Sequence, residues 1–321
     1  MRKRILLYFV IVLTIIISGC ARSKKSEEIR HKLIIPRYGM PAVAIEECIY
    51  ILGGSTQKGY VGDIEKFNTK TGKITLMKTK LYPRRYHTAE AHKGKIYITG
   101  GYGAKGLVSL LEIYNPETDS VSEGTPLPTP RYFVSSVMVD GKMYVVGGSK
   151  LGSGALFSSA LEIYDVKKNT WTKGASMLLA RQTDVVEKDG RIYAVGGYNE
   201  NAVKNFEAYD IKKDKWIILS DLPFPISANH CSTFQNKYMD RIYSFGDYYE
   251  LDRVWVYDFD AEEWDVVKNC PEQIYLPGRH NAVVSVKDTI YVIGGNVSTR
   301  GSHLDTIQPI TYENLLKAGR K

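Results

Sequence analysis

One pattern of hydrophobic and polar positions recurs six times along the chain, and each copy predicts a pair of β-strands. An alternating segment leads into a short apolar run such as residues 290–293, and the run ends in two glycines, or in Gly246-Asp247 in the fifth copy. The first glycines lie at positions 53, 100, 147, 196, 246 and 294, so the copies are 47, 47, 49, 50 and 48 residues apart. A period of this size is typical of an architecture that repeats one supersecondary unit.

The fourth copy shows the complete unit. Strand-like runs separated by polar turns predict four strands in it, at residues 183–188, 192–195, 206–209 and 216–219. Asp189-Gly190 is a strong signal for a tight hairpin between the first two strands. Four antiparallel strands in one repeat of this length are typical of one blade of a β-propeller.

Several residues recur at fixed places in the copies and are predicted to be structural. Paired glycines let two backbones approach closely and adopt dihedral angles that a side chain would forbid. They are Gly53 and Gly54, Gly100 and Gly101, Gly147 and Gly148, Gly196 and Gly197, and Gly294 and Gly295. The arginines predicted to open five of the copies are Arg37, Arg85, Arg131, Arg181 and Arg279. The glutamates that lie two residues before the third-strand aromatic residue are Glu65, Glu112, Glu162 and Glu207.

The fifth copy lacks both of these charges. It has Ala228-Asn229 where the arginine is expected and Trp255 where the glutamate is expected. A buried charge without its partner is strongly destabilising, so the joint loss predicts that the two charges pair inside the other blades. Arg131 and Glu162 are the pair predicted for the third blade.

These elements together resemble the Kelch repeat: an arginine, a strand, Ile-Tyr-x-x-Gly-Gly, Glu-x-Tyr and a tryptophan. The resemblance extends over about residues 30–312. It implies an all-β fold, namely a six-bladed Kelch-type β-propeller with four antiparallel strands per blade. In that family the first strand of each repeat is innermost and the tryptophan strand is outermost.

The two ends of this domain are predicted to meet in the last blade. The sixth copy has a third strand at about residues 305–312 and no tryptophan strand after it. Residues 32–35 precede the first arginine as the outer strands precede each later copy, so we expect them to supply the missing outer strand. Such closure removes a free sheet edge. The propeller is therefore predicted at residues 31–313, followed by a short basic tail at 314–321.

The first twenty residues resemble an export signal. A positive segment at residues 2–4 precedes an apolar run at residues 5–17, which is short for a membrane span and fits a signal peptide. Ser18-Gly19-Cys20 follows directly and resembles the bacterial lipobox, in which the cysteine becomes lipidated and N-terminal after cleavage.

This interpretation predicts a signal peptide at residues 1–19 and a lipidated cysteine with a tether at residues 20–30. Acyl chains on Cys20 would hold the protein on a lipid bilayer, because each buried methylene contributes about 0.8 kcal/mol. The protein is accordingly expected to be an exported lipoprotein of the cell envelope, on the periplasmic or the outer surface.

Charge and cysteine content change this picture little. The formal net charge of +8 is dispersed along the chain, so nucleic acid is not an expected partner, and a monomer is predicted. Cys48, Cys231 and Cys270 are interpreted as small packed residues without a disulfide framework. No nucleotide-binding loop or ligand-spaced metal cluster is present in the sequence, so no cofactor and no metal are expected.

Binding residues are expected on one face of the propeller. The loops that follow the glycines and the segments that enter each new blade are longer and more varied than the hairpins on the other face, and binding residues concentrate on such loops. The ligand-binding candidates there are Tyr38, Tyr86, His87, Tyr102, Tyr132, Gln182, Tyr198, Asn199, His230, Tyr248, Tyr249, His280 and Asn281. Each of them has the alternative interpretation of a residue that packs between blades.

Two functions are compatible with this sequence. The first is a module that binds a protein or a glycan through the loop-rich face. The second is a sugar mutarotase resembling the exported Kelch-type sialic acid epimerases, which needs an acid and a base at the sugar ring. The groups that could supply them are His87, His230, His280, Glu200 and Glu250. No spacing singles out a catalytic pair among these groups, so the sequence favours binding.

Overall fold

The fold is a ring of six antiparallel four-stranded sheets. A computed structural model describes residues 31–151, 156–236, 239–267, 275–298 and 303–319. The strands are β1 (His31–Lys32), β2 (Ala42–Ile45), β3 (Cys48–Thr56), β4 (Gly59–Asn68), β5 (Ile74–Lys80), β6 (Arg84–Arg85), β7 (Thr88–His92), β8 (Lys95–Thr99), β9 (Tyr102–Gly103), β10 (Gly106–Leu107), β11 (Leu111–Asn115), β12 (Ser120–Gly124), β13 (Ser135–Val139), β14 (Lys142–Val146), β15 (Leu161–Asp165), β16 (Thr170–Gly174), β17 (Gln182–Lys188), β18 (Arg191–Asn199), β19 (Asn201–Asp210), β20 (Lys215–Ile218), β21 (His230–Asn236), β22 (Met239–Phe245), β23 (Val254–Asp258), β24 (Glu263–Val266), β25 (Ala282–Val286), β26 (Thr289–Ile293) and β27 (Thr306–Thr311).

Each four-stranded sheet is one blade, and the strands of blades 1 to 5 follow chain order, while β6, β9 and β10 form a separate three-stranded sheet. Blades 1 to 5 are β2-β3-β4-β5, β7-β8-β11-β12, β13-β14-β15-β16, β17-β18-β19-β20 and β21-β22-β23-β24. Blade 6 is β25-β26-β27-β1. The first strands of neighbouring blades contact one another, and β2 contacts both β7 and β25, so the ring closes around a central axis. The predicted six-bladed, all-β architecture is confirmed.

Apolar side chains fill the six interfaces between blades. Each hydrophobic cluster of the described residues combines side chains from two neighbouring blades. Large rings pair across the outer two strands: the centroids of Tyr164 and Trp171 lie 5.1 Å apart, and those of Tyr209 and Trp216 lie 5.3 Å apart. Such rings fill the space between two twisted sheets, which explains the seven-residue spacing of these aromatic residues.

The paired glycines bring neighbouring blades together. In blade 3, Gly147 has a φ of 61°, and a Cβ atom at this position would lie 2.6 Å from the carbonyl oxygen of Arg181. The next amide, of Gly148, donates a hydrogen bond to that same carbonyl at 2.9 Å. A side chain at Gly147 would therefore both strain the backbone and push blade 4 away.

The ring is closed by the N-terminal strand, as predicted. In β1, His31 pairs with Ile307 and Lys32 with Thr306 of β27, and the buried Leu33 donates its amide to Asp305 at 2.6 Å. The strand was expected at residues 32–35, but it ends at Lys32. The chain turns there because the next amides bind a buried carboxylate of blade 1, described below.

The C-terminal segment differs from the expected basic tail. It forms a helix, α1 (Tyr312–Gly319). The ring of Tyr312 stacks on Phe234 with centroids 4.9 Å apart, and Leu315 is buried in the cluster between blades 5 and 6. Two apolar residues three apart lie on one helix face, and this face holds the segment on the ring. Among the described residues, no helix is long and apolar enough to cross a membrane.

Candidate functional site

Buried ion pairs fix the segments that lead to the loop-rich face in blades 1 to 4. The pairs are Arg37 with Glu65, Arg84 with Glu112, Arg131 with Glu162, and Arg181 with Glu207. In blade 1, the Glu65 carboxylate also accepts hydrogen bonds from the amides of Ile34 and Ile35, at 2.7 and 3.1 Å. Tyr82 and Leu178 donate their amides to the equivalent glutamates of blades 2 and 4. The glutamates of blades 1, 2 and 4 thus hold both an arginine and the backbone that precedes it, and Glu162 of blade 3 accepts the Thr129 hydroxyl instead.

Two of the predicted opening arginines have a different place. In blade 2 the buried arginine is Arg84, whereas Arg85 lies on the surface of the loop-rich face. Successive residues of an extended segment point to opposite sides, so only one of two adjacent arginines can enter the blade. Arg279 is equivalent to Arg85 and not to the buried arginines. Arg85 pairs with Tyr102 and Arg279 pairs with Asn296, and both of these partners lie two residues after the first glycine of their copy. Gly278 takes the place of the buried arginine in blade 6.

Blade 5 replaces the ion pair with apolar side chains. The register places Ile226 where the other blades have the buried arginine, two residues before the expected Ala228-Asn229. Trp255 lies opposite Ser244, in the place of the glutamate. Ile226 and Trp255 are both buried in the hydrophobic cluster between blades 4 and 5. In blade 6 the buried Gln308 takes the glutamate position and accepts the amide of Leu276.

A ring of left-handed residues surrounds the mouth of the central channel on the loop-rich face. The residues are Gly39, Tyr86, Phe133, Ala228 and His280, with φ values of 64°, 56°, 52°, 56° and 53°. Phe133 donates its amide to Tyr86, Tyr86 to Gly39, and Gly39 to His280, at 2.9, 2.6 and 2.8 Å. Blade 4 has no residue at this place, because its entering segment is one residue shorter. Arg181 precedes Gly196 by 15 positions, whereas Arg84 of blade 2 precedes Gly100 by 16. The backbone ring is therefore continuous over blades 6, 1, 2 and 3.

Three side chains of this ring meet over the axis. The rings of Tyr86 and Phe133 stack with centroids 3.7 Å apart, and His280 lies 5.2 Å from Tyr86 and 5.6 Å from Phe133. His280 and Phe133 come from blades on opposite sides of the propeller. Burial lowers the pKa of His280 to about 3, and the nearby His230, Arg279 and Arg85 act in the same direction. The imidazole is therefore neutral at neutral pH and forms an uncharged cover on the channel with the two other rings.

Arg85 lies among aromatic rings beside this cover. Its guanidinium carbon is 5.5 Å from the ring centroids of both Tyr38 and Tyr60, and 4.9 Å from that of Tyr86. Nη1 donates a hydrogen bond to the Tyr38 hydroxyl, and Nε is buried without a hydrogen-bond partner. Within the part of the chain that the structure describes, no carboxylate lies within ion-pair distance of this guanidinium.

Arg279 has a similar environment on the other side of blade 1. Its guanidinium lies 4.0 Å from the ring centroid of Tyr248, donates to the Tyr248 carbonyl at 3.2 Å, and has a buried Nε without a partner. The described residues provide no carboxylate for this arginine either. Arg85 and Arg279 thus lie at equivalent repeat positions without an acidic partner among the described residues, but Arg85 is half-buried whereas Arg279 is only 5% exposed.

The aromatic rings continue outward from Arg85. Tyr102 lies 6.2 Å from Tyr60 and 5.8 Å from Tyr132, and Tyr132 lies 5.1 Å from Phe133. Tyr38 stacks on His303 with centroids 4.8 Å apart. We call this continuous set the aromatic arc, and its members are Tyr38, Tyr60, Tyr86, Tyr102, Tyr132, Phe133, His280 and His303. It extends over blades 6, 1, 2 and 3.

The loops of the same face differ in charge between its two sides. After the glycines, residues 55–62, 102–109 and 149–158 of blades 1 to 3 contain three lysines and no acidic residue. The corresponding loops of blades 4 and 5, residues 198–205 and 248–255, contain three acids, Glu200, Glu250 and Asp252, together with Lys204 and Arg253. The arc therefore lies on a basic side, and the loops across the mouth carry charges of both signs.

Beneath the cover lies a polar channel with a cavity of about 490 Å³. Ser136 donates to Glu90 at 3.0 Å, and the neighbouring Ser135 donates to Asp184 at 2.7 Å. Asp184 also accepts the amide of Cys231 at 2.6 Å. Burial raises the pKa of the Glu90 carboxyl to about 8, the Asp184 carboxylate acts in the same direction, and the hydrogen bond from Ser136 opposes both. Glu90 is thus mostly protonated at neutral pH.

The structure distributes the predicted ligand-binding residues over three places. Those in the aromatic arc are Tyr38, Tyr86, Tyr102, Tyr132 and His280. Those along the channel or on the blade-4 and blade-5 side of its mouth are Gln182, Tyr198, Asn199, His230, Tyr248 and Tyr249. His87 and Asn281 are buried between blades, where they pack against the glycines of the preceding and their own blades.

Of the groups considered for mutarotation, His87, His230 and His280 line the channel cavity, whereas Glu200 and Glu250 do not. Glu200 lies at the tip of the β18–β19 hairpin, Glu250 lies in the blade-5 loop 3.8 Å from Arg253, and His87 lies between blades 1 and 2. Burial lowers the pKa of His87 well below its usual value, and the Arg84 cation acts in the same direction. His230 lies 3.8 Å from Asp184 at the channel wall.

Sequence reasoning missed Phe133, Glu90 and Asp184 as channel residues and missed the separate place of Arg85. The Arg84-Arg85 doublet carried a signal, since one of two adjacent arginines must point away from the blade. Nothing local marks Phe133, because its position over the axis depends on a left-handed backbone that phenylalanine seldom adopts.

Comparison with known proteins agrees with this architecture. The family model of the Attractin/LZTR1 beta-propeller matches residues 21–203 and 122–312. An F-box/kelch-repeat protein of Arabidopsis thaliana is 31% identical over 146 residues, which are 44% of this chain and 34% of that protein. Kelch-like protein 23 of Homo sapiens is 29% identical over 145 residues, which are 42% of this chain and 24% of that protein.

A shorter match reaches higher identity. Kelch-like protein 7 of Rattus norvegicus is 41% identical over 75 residues, which are 22% of this chain and 12% of that protein. The matched segments are thus about a third or less of each relative, so the likeness concerns the repeats. With six blades of the same build and a family match over most of its length, the chain belongs to the Attractin/LZTR1 family of Kelch-type β-propellers.

Proposed function

We propose that this propeller is a protein-binding module and that its partner docks on the loop-rich face. The observation that supports this most is the aromatic arc, a continuous set of tyrosine, phenylalanine and histidine rings contributed by four blades. Aromatic residues are enriched at the centres of protein interfaces, since they bury a large area and lose little conformational entropy. Kelch propellers commonly bind proteins, which agrees with this assignment.

The scaffold beneath the arc also suits a binding surface. The segments that carry Tyr38, Arg85 and Tyr132 each follow a buried arginine that is paired with a glutamate. Charge-assisted hydrogen bonds of these arginines fix the segments that carry the surface residues. Little conformational freedom is therefore lost when a partner binds. The opposite face has short turns, such as residues 93–94 and 140–141.

Site-specific photo-crosslinking in cells of the source organism tests the docking face. A benzophenone amino acid is placed in the full chain at Tyr102, in the arc, or at Glu117, in an exposed turn on the opposite face of the same blade. We expect a discrete crosslinked protein from the Tyr102 position and none from Glu117. Equal crosslinking from both positions, or from Glu117 alone, would overturn the proposal.

We also infer that Cys20 carries the lipid that anchors this module to a membrane of the cell envelope. The support is the sequence pattern of residues 2–20, which lie outside the described residues. A glycan ligand and sugar mutarotation remain alternatives to protein binding, and the acids and bases that line the channel include Glu90, Asp184, His230 and His280.

Replacing Cys20 tests the anchor. Cys20→Ala should release the protein from the membrane fraction or stop its processing, whereas the control Cys48→Ala, which removes a thiol inside the propeller, should fractionate as wild type. An unchanged distribution and unchanged electrophoretic mobility of Cys20→Ala would contradict lipidation.

A further inference from the structure

We propose that the central channel binds a small organic cation, such as an alkyl diamine, whose ammonium groups are held by the carboxyl groups of Glu90 and Asp184. The site lies beneath the aromatic cover, apart from the docking face of the proposed function. Both carboxyl groups line the cavity of about 490 Å³, and neither has a lysine or an arginine within ion-pair distance among the described residues.

The walls of this cavity carry acidic groups and no strong base. Glu90, Asp184 and Glu187 line it, whereas none of the described lining residues is a lysine or an arginine. The chain as a whole has a formal net charge of +8, so the channel reverses the balance of the rest. A cleft lined by one sign of charge concentrates its field on ligands of the opposite sign. The channel therefore attracts a cation and repels an anion such as a sugar acid.

Asp184 has free acceptor sites that face this space. Its carboxylate accepts hydrogen bonds from the Ser135 hydroxyl at 2.7 Å and from the Cys231 amide at 2.6 Å. The Nδ1 atom of His230 lies 3.8 Å away, which is beyond hydrogen-bond distance. A carboxylate offers about four acceptor sites, and this side chain is 14% exposed. A ligand in the channel can thus reach an anion that no described side chain neutralises by direct contact.

Glu90 lies on the other side of β13 from Asp184. Ser136 donates to Glu90, and the adjacent Ser135 donates to Asp184, so the two carboxyl groups flank the same strand. Glu90 is half-buried and can be reached from the cavity. Two ammonium groups joined by a short alkyl chain match two carboxyl groups on either side of one strand.

The elements packed around Glu90 give it no cation. Neither β2 nor β13 contains a charged side chain. Tyr97, opposite Glu90 in β8, keeps its proton because burial raises the pKa of its hydroxyl. His92, at the end of β7, contacts Gly141 on the hairpin side. A bound ammonium group would therefore be the first positive charge to stabilise this carboxylate by contact.

His87 adds a neutral acceptor to the same cavity. It is 5% exposed, and its ring nitrogens are buried without a hydrogen-bond partner. Burial holds the pKa of this imidazole well below its usual value, so one nitrogen keeps a lone pair that can accept a hydrogen bond from an ammonium group. A buried polar atom without a partner costs free energy, and a bound donor would remove that cost.

The aromatic cover suits a cation and leaves an entrance. Tyr86 and Phe133 both line the cavity, and aromatic rings attract cations through their negative faces. On the other side of the mouth, blade 4 has no residue in the left-handed ring and blade 5 has only the small Ala228. Gln182 and the exposed Tyr198 line the cavity on this side, which is where a ligand can enter.

The size and the lining of the cavity favour an organic cation over a metal ion. No group of three histidine, cysteine, aspartate or glutamate side chains in the described part of the chain could hold a metal. The volume lies within the range of small-molecule sites, about 300–1,000 Å³. Valine and alanine side chains, among them Val137 and Val185, alternate with the polar groups of the wall. They offer apolar contacts to the methylene groups of a diamine.

Isothermal titration calorimetry of the full chain with 1,4-diaminobutane tests the site, with 1,4-butanediol as the uncharged analogue. We expect the diamine alone to bind. Asp184→Asn removes the charge and keeps one acceptor oxygen, and it should weaken binding roughly tenfold or more. Glu123→Gln removes an exposed carboxylate from β12, the outer strand of the same blade as Glu90, and should leave the affinity unchanged.

Glu90→Gln is the second variant and has its own readout. Glu90 is mostly protonated at neutral pH, so a cation bound beside it should drive its proton into the buffer. This release appears as a binding heat that depends on the ionisation enthalpy of the buffer. It should disappear in Glu90→Gln and persist in Glu123→Gln. Glu90→Gln should also weaken binding, by a smaller factor than Asp184→Asn.

Thermal melting checks that both channel variants fold, and if Asp184→Asn does not, Glu90→Gln decides. Absence of diamine binding at millimolar concentration would overturn the proposal, as would equal binding of the diol. Unchanged affinity and unchanged proton release in Glu90→Gln would overturn it as well. Calcium binding that Asp184→Asn abolishes, without any binding of the diamine, would replace it with a metal site. Crosslinking at Tyr102 reports on a residue outside the cavity, so the docking face and the channel site can fail independently.

Discussion

Blades 3 and 5 have the same arrangement of strands but different side chains at the same buried position, an ion pair in blade 3 and apolar residues in blade 5. Blade 3 buries Arg131 and Glu162, whose Nη2 and Oε2 atoms are 3.0 Å apart. Blade 5 buries Ile226 and Trp255 at the equivalent positions. Because both blades form four-stranded sheets in the same register, the ion pair is not a requirement for forming a blade.

The difference concerns the segment that enters the blade. In blade 3 the glutamate accepts hydrogen bonds from both Arg131 and the Thr129 hydroxyl, so the entering segment is held by a charge. In blade 6, Gln308 accepts only a backbone amide, and in blade 5 the indole of Trp255 has a buried Nε1 with no partner. The loop-rich face is therefore held by charged hydrogen bonds on blades 1 to 4 and by packing on blade 5.

The largest effect on this comparison is expected from removing the segment that holds blade 1 and closes blade 6. A chain that begins at residue 36 loses β1, the buried Leu33 and both backbone donors to Glu65. Loss of the leucine alone is worth about 2–5 kcal/mol. Thermal unfolding should show a strongly destabilised ring, and a chain that begins at residue 29 should melt like the chain that begins at residue 21. Equal melting of all three would show that the closing strand contributes nothing.

The next largest effect is expected from breaking one ion pair. Arg131→Met leaves Glu162 buried without its cation and should lower the free energy of unfolding by about 3–5 kcal/mol. Arg131→Met combined with Glu162→Leu imitates the apolar solution of blade 5 and should recover much of this loss. Denaturant unfolding of both single variants and the double variant gives the coupling energy. Additive losses would show that the two charges act independently.

A third effect grows with pH and concerns a buried carboxyl that has no cation, in contrast to Glu162. The pKa of Glu90 is about 8 in the folded chain and near 4.5 when unfolded, so the folded state binds its proton more tightly. This contribution to stability is complete below pH 4.5 and is lost as the pH rises toward 8, at up to about 1.4 kcal/mol per pH unit. Glu90→Gln should therefore match wild type at pH 4 and be more stable at pH 8.5. Parallel stability profiles for the two proteins would contradict the assignment.

The repeat itself was predictable because its period, its glycines and its ring spacing each arise from local geometry. The closing strand was also predictable, since six blades need six outer strands and one was missing after β27. The identity of the buried arginine in blade 2 was not, because Arg84 and Arg85 are adjacent and only the register decides which one enters the blade. Blade 6 raised the same difficulty with Gly278 and Arg279.

The candidate site was less predictable than the fold. Membership of Tyr86 and His280 in the mouth was expected from their place after the arginines, but their meeting with Phe133 depends on three left-handed residues from three blades. The pairing of Ser136 with Glu90 and of Ser135 with Asp184 joins residues 46 and 49 positions apart. Such contacts join different blades across the channel. Predicting them requires the three-dimensional arrangement of the blades, which the repeat period alone does not give. Helix α1 was missed because its eight residues are too few for a clear helical period in the sequence.

Closure by the two distant segments governs when the ring can be completed during synthesis. Blades 1 to 5 are each formed from one continuous stretch, so each can assemble soon after its own residues leave the ribosome, at about 5–20 residues per second. The ion pair between Lys32 and Asp305 joins residues 273 positions apart, and β27 is the last strand of the described chain to be made. Until it emerges, β1 has no partner, and blades 1 and 5 each present an open flank. The nascent propeller is thus an incomplete arc for most of its synthesis, and a truncated translation product would expose apolar flanks that the finished ring conceals.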